Sequence, residues 1–193
     1  MKFLLVYAHP NVKSFNHALF SQVRRQLEAA GHEVRVHDLY AMGFDPVLAP
    51  ADFEAMAAGT QRDDVARLQA DIAWAERLFF TYPIWWYNRP AILQGYIDRV
   101  FSYGFAYKFG ANGTEKLLKH SKALVFQTTG QIRDDYSGAG DVAIHYAMKE
   151  GTLELSGVNG VLMHTFYNVP RASDDMRQQM LDEAAEIVHN FMN

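Results

Sequence analysis

Five short apolar runs punctuate this chain, and a stretch of helical spacing or a loop separates each from the next. Residues 3–7, 78–82, 122–128 and 158–166 are apolar enough for strands covered on both faces, while 34–38 alternates like a less buried one. Ser14 offers an N-cap, and Phe15, Leu19, Val23 and Leu27 then recur every four residues up to Gly31. Residues 63–75 are helical by pattern, with Val65, Leu68 and Ile72 on one face. Pro90 stands where a first-turn proline is tolerated, ahead of the stripe Leu93, Ile97, Val100 and Phe101. Residues 142–155 read as a helix interrupted in character by Gly151, and 173–192 as a closing helix with Asp174 and Asp175 in its first turn. The longest connection, 40–60, holds Gly43, Pro46, Pro50 and Gly59, with room for one short helix over 52–58.

Strands that alternate with helices need right-handed crossovers, which makes the sheet parallel and covered on both faces. Five strands in 193 residues suit a flavodoxin-like doubly wound five-stranded parallel sheet better than a full Rossmann sheet. No repeat, low-complexity stretch or linker divides the chain, so one domain over 1–193 is expected. Ligands of such sheets bind outside the carboxyl ends of the strands, which singles out the loops after the first, third and fourth strands.

Composition narrows the chemistry. There is no cysteine, which removes disulfides, thiolate metal sites, iron–sulfur clusters and a cysteine nucleophile. Eight histidines form no His-x-His or H-E-x-x-H pattern, so no metal site is expected. A net charge of -4 argues against nucleic acid or an anionic membrane as partner. No window approaches the roughly 20 apolar residues of a membrane span, and the apolar start is cut short by His9-Pro10. The expectation is a soluble cytoplasmic protein. Of its 26 aromatic residues, 12 fall between Phe79 and Phe109, many of them in loop sequence that a core strand and helix do not account for.

The first loop, 9–16, lacks G-x-G-x-x-G and the P-loop pattern, but places Ser14, Phe15 and Asn16 at a helix start beside His9 and Lys13. Free N–H groups at a positive dipole end suit a phosphate; an ordinary N-cap is the plainer reading. The third-strand loop packs Pro83, Ile84, Trp85, Trp86 and Tyr87 before Asn88-Arg89-Pro90. Singly these fit a core plug or a dimer contact, and together they suit a flat apolar ligand such as a flavin or nucleobase. The fourth loop, Thr128, Thr129, Gly130 and Gln131, lets backbone approach a ligand, or simply makes a turn. No G-x-S-x-G elbow is present, and the ends of strands one and three carry Ala8-His9 and Tyr82-Pro83 where a phosphoacceptor pocket needs acids.

Taken together, His9-Pro10, Ser14-Phe15-Asn16, Asp38-Leu39-Tyr40, the run from Tyr82 to Tyr87, the run from Pro90 to Phe101, Gly104 to Tyr107, Thr128-Thr129-Gly130 and Tyr136 resemble the NAD(P)H:quinone oxidoreductases of flavodoxin-like fold. The resemblance runs from residue 2 to about residue 190. It implies a noncovalent flavin, reduced by NAD(P)H as co-substrate and reoxidised by a quinone or other small electron acceptor in a ping-pong cycle. By that likeness His9, Ser14, Phe15 and Asn16 contact the phosphate side, and Pro83, Ile84, Trp85, Trp86 and Tyr87 line the isoalloxazine edge. Thr128, Thr129, Gly130 and Gln131 hold the opposite rim, and Tyr136 acts as the catalytic donor where charge accumulates on the reduced ring. Tyr107 and Phe109 fall on the substrate side, contributed across a homodimer interface.

The chain also departs from the family. Phe109 replaces a second tyrosine, Gln131 replaces a frequent second glycine, and residues 137–141 lack the histidine that larger members carry after Tyr136. His145 lies farther on. A short 52–63 connection speaks for FMN, whereas Arg177, where larger members place an arginine near the adenosine, speaks for FAD; FAD is the reading taken, with FMN the alternative. Two other functions compete: an ancillary regulatory subunit of a membrane transport system, and a flavodoxin-type electron carrier, for which a more acidic chain is expected.

Overall fold

A computed structural model describes residues 1–193. Five parallel strands, β1 (Lys2–Tyr7), β2 (Glu33–Asp38), β3 (Arg77–Pro83), β6 (Lys122–Thr128) and β7 (Gly160–Phe166), form one sheet in the order β2-β1-β3-β6-β7. Counting only these strands, that is the flavodoxin-like order, with its switch point between β1 and β3. Alternation along each strand splits the core into two. Leu4, Val6, Leu78, Phe80 and Val125 face one cluster, together with buried residues of α3 (Asp63–Trp74) and α4 (Ala91–Val100). Phe3, Leu5, Tyr7, Phe79, Leu124 and Phe126 face the other, with α1 (Phe15–Ala29) and α6 (Asp174–Met192). β3 is buried at every residue because strands flank it on both edges and helices cover both faces.

The caps stand where the sequence put them. Ser14 Oγ accepts the His17 N–H at 3.1 Å, Gly31 takes φ +77° just past the end of α1, and Ser173 caps α6. Residues 107–116, to which the sequence pattern assigns no element, form a hairpin, β4 (Tyr107–Gly110) with β5 (Gly113–Lys116). One expectation needs correction: residues 142–155 are not one helix, since α5 (Ala139–Tyr146) gives way to π-helical turns at Lys149–Glu154. There Leu153 N–H reaches five residues back to the Met148 carbonyl at 3.0 Å, and Thr152 Oγ1 donates to the Ala147 carbonyl at 2.7 Å. The hydroxyl occupies a carbonyl near the point where the ladder changes register.

The long connection after β2 carries α2 (Pro50–Ala57) and is pinned to α4 by one side chain. Arg99, fully buried, donates to Asp52 at 3.0 Å, to Asp64 at 2.8 Å and to the Asp45 carbonyl at 2.8 Å. Gly95 permits that approach: a Cβ there would sit 2.1 Å from the Pro46 carbonyl oxygen. No helix is long and apolar enough to cross a membrane.

Candidate active site

The largest cavity, about 1000 Å³, opens at the carboxyl edge of β1, β3 and β6. Its lining includes His9, Ser14, Phe15 and Asn16 from the first loop and the start of α1. Pro83, Ile84, Trp85, Trp86 and Tyr87 come from the loop after β3, and Thr128, Thr129, Gly130 and Gln131 from the loop after β6. Tyr136 and Arg177 complete the expected set in this cavity. Tyr107 and Phe109 lie elsewhere, on the β4 hairpin; Tyr107 borders a smaller cavity of about 300 Å³ with Tyr103 and Ile97, and Phe109 is exposed.

Asn16 locks the floor. Buried at the start of α1, it donates from Nδ2 to Thr128 Oγ1 at 2.7 Å and accepts from Thr81 Oγ1 at 3.4 Å, tying the helix to β3 and β6 at the switch point. Above it, the N–H groups of Phe15 and Asn16 make no backbone hydrogen bond, as a helix start requires. Gly130 and Gln131 likewise leave their N–H groups free of backbone partners. His9 accepts the Asn11 N–H on Nδ1 at 3.0 Å, so the neutral ring carries its proton on Nε2. Burial holds its pKa below the usual histidine value. Two uncommitted donors at a helix start, two more at the opposite loop, and the adjacent Lys13 and Arg177 suit an anionic group.

The aromatic side is strained. Trp85 and Asn88 exchange both backbone hydrogen bonds, 2.9 and 3.0 Å, around Trp86 at φ +52° and Tyr87 at φ +57°. Two successive left-handed residues make a tight reverse turn that ordinarily takes Asn-Gly, and a bulky residue there costs about 1–3 kcal/mol. Trp86 is 98% exposed, an indole ring held in solvent beside the cavity. Trp85 lies 5.9 Å from the His9 ring. Across the mouth, Tyr136 is buried within a 3-10 turn, Arg133–Tyr136, with Tyr87 at 5.0 Å and Tyr167 at 5.8 Å. Burial first, then the neighbouring Tyr87, raises the Tyr136 pKa above the ordinary phenol value, so the hydroxyl stays a donor at neutral pH.

Sequence reasoning missed several members of the lining. Val169 and Pro170 follow β7, a loop left unread, and Leu181 stands one helical turn from Arg177 on the same face of α6. The i, i+4 spacing was the available signal for Leu181. Lys13, read beside the helix start as part of a phosphate-suited loop, lines the cavity too. His145 does not line this cavity; its ring bonds the Asp141 carbonyl at 2.9 Å and Thr165 Oγ1 at 3.1 Å.

Fold and cavity together define a doubly wound α/β protein with an open cavity at its switch point, where such sheets bind their ligands. A family model described by its flavodoxin-like fold matches residues 1–190, and the chain belongs to that family. It is similar to an uncharacterized NAD(P)H oxidoreductase of Haemophilus influenzae, 32% identical over 188 residues that make up 96% of this chain and 93% of the relative. Among solved structures, the NAD(P)H:quinone oxidoreductase of Methanothermobacter marburgensis superposes with a TM-score of 0.89 at 30% identity, covering 99% of this chain and 98% of that one. The general stress protein 14 of Treponema denticola, solved in complex with FMN, has a TM-score of 0.65 at 26% identity over 99% of this chain and 97% of its own.

Proposed function

We propose that this chain is a flavin-dependent oxidoreductase that passes two electrons from NAD(P)H to a quinone or similar small acceptor. The observation that carries it is the cavity, in which an aromatic turn, the start of α1 with its free N–H groups and the Thr128–Gln131 loop converge on one space. A bound flavin would supply hydride acceptance and donation there. The residues present fit such a group: free N–H groups of Phe15 and Asn16 for a phosphate, and an apolar wall at Ile84, Trp85 and Tyr87 for a flat ring. Tyr136 keeps its proton and offers a hydrogen bond to developing negative charge. Trp85 and Tyr87 would shield one side of a bound ring from water. FAD is the cofactor favoured, because the space continues beyond the helix start to Arg177 and Leu181 and stands at the upper end of usual ligand pockets.

The acting form in this reading is a homodimer. Phe53, Tyr103, Phe109 and Leu155 are exposed around the smaller cavity bordered by Tyr107, an apolar surface that a second copy would cover. It would also carry Tyr107 and Phe109 to the partner's site. In this reading NAD(P)H and the acceptor would take turns in the one cavity, in a ping-pong cycle. The test is direct: release the cofactor by denaturation, identify it by chromatography, and follow oxidation of NADH and NADPH with and without a soluble quinone. A protein that binds neither FAD nor FMN, or that gains no rate from quinone, overturns the reading. Sedimentation equilibrium decides the dimer.

A further inference from the structure

Of the two strained residues in the aromatic turn, only one reaches across the cavity mouth. Trp86 points into solvent, whereas the Tyr87 hydroxyl donates to the Asp135 carbonyl at 3.2 Å and its ring lies 5.0 Å from that of Tyr136. The same ring meets α5. A Cβ added to Gly140 would stand 3.1 Å from Tyr87 Cε1, closer than side chains ordinarily pack. Three independent contacts on the segment 135–140 therefore converge on a single side chain held in a left-handed conformation that tyrosine seldom adopts. A left-handed backbone maintained by a bulky residue points to a functional requirement on where that side chain goes.

We propose that Tyr87 is a clasp: it joins the aromatic turn after β3 to the 3-10 turn Arg133–Tyr136 and thereby positions the Tyr136 hydroxyl in the cavity. Tyr87 acts through Tyr136, and this role deepens the proposed function, on which its catalytic meaning rests. Three features of the chain fit together under it. Glycine at 140 leaves space for the ring, the Asp135 carbonyl receives its hydroxyl, and residues 137–141 hold no aromatic side chain to pack on Tyr136 in its place. The neighbouring phenol also raises the Tyr136 pKa, second only to burial.

The test uses Tyr87→Phe, Tyr87→Gly and Gly140→Ala in the full chain, without added flavin and then reconstituted. Glycine relieves the left-handed backbone while removing the clasp, so Tyr87→Gly is expected to fold at least as stably as the parent. Amide hydrogens of residues 133–141 should nonetheless exchange at least about tenfold faster in Tyr87→Gly and Gly140→Ala, and by less in Tyr87→Phe. In protein carrying ¹³C-labelled tyrosine, with the Tyr136 resonance assigned through Tyr136→Phe, the Tyr136 phenol should titrate at lower pH in each variant. Unchanged exchange of 133–141 in Tyr87→Gly, or an unmoved Tyr136 titration, overturns the clasp. In reconstituted enzyme the variants should lower kcat more than they raise KM, and Tyr87→Phe should add nothing in a Tyr136→Phe background. An additive loss in that background overturns the positioning role. Failure to take up flavin would count against the proposed function alone, because the exchange and titration readouts need none.

Discussion

At the residue scale, the site depends on groups whose state is set by their neighbours. Burial disfavours the Tyr136 phenolate, so the donor role proposed for it would be lost only as pH rises beyond the ordinary phenol range. Tyr136→Phe is expected to lower turnover by about 10²-fold while flavin content stays at the parent value. Single-turnover oxidation of NAD(P)H measures it, and a parent-like rate refutes the assignment. Ser14 has a double role, as the cap of α1 and as a wall of the cavity. Ser14→Ala should cost roughly 1 kcal/mol in chemical denaturation and weaken flavin binding in a fluorescence titration. The cap was legible in the sequence because its signal is local. The left-handed backbone of Trp86 and Tyr87 was not, since both types normally avoid it and only the returning hydrogen bonds between Trp85 and Asn88 impose it.

At the scale of elements, α2, α3 and α4 meet at Arg99. Its guanidinium has no exposure and serves two carboxylates and one carbonyl, so removing it leaves the buried Asp52 with only the Ala49 N–H at 2.9 Å and Arg62 at 3.9 Å. Arg99→Leu is expected to destabilise by about 3–5 kcal/mol, and adding Asp52→Leu should return part of that loss. Urea denaturation of the single and double variants decides this; a double variant weaker than the sum of its parts argues against the pairing. Asp63 and Asp64 read as an ordinary helix start, and they do begin α3, but the Asp64 partner lies 35 residues away on another helix. Local pattern cannot reveal such a pairing. The β4–β5 hairpin was invisible for a related reason, because the exposed β5 shows no two-residue alternation of apolar side chains.

For the whole molecule, burial also governs the response to acid. His9, His32, His37, His120 and His164 all have their pKa lowered, with burial the leading cause in each. Below about pH 6.5 the unfolded chain takes up protons that the folded chain resists, so stability falls as pH falls. Thermal midpoints recorded from about pH 7.5 down to about pH 5.5 should drop, and a flat profile contradicts the sign. Alternating strand and helix signals, end caps and the absence of cysteine were enough to determine a five-stranded parallel sheet and to send the search to its carboxyl-edge loops, because periodicity and capping are properties of neighbouring residues. That is why residues drawn from those three loops proved to line one cavity. Which side chains meet across it was decided by tertiary structure alone. Tyr87 against Asp135, Asn16 between Thr81 and Thr128, and Arg99 between Asp52 and Asp64 join residues dozens of positions apart, and only the packing of the completed sheet and helices brings them within bonding distance.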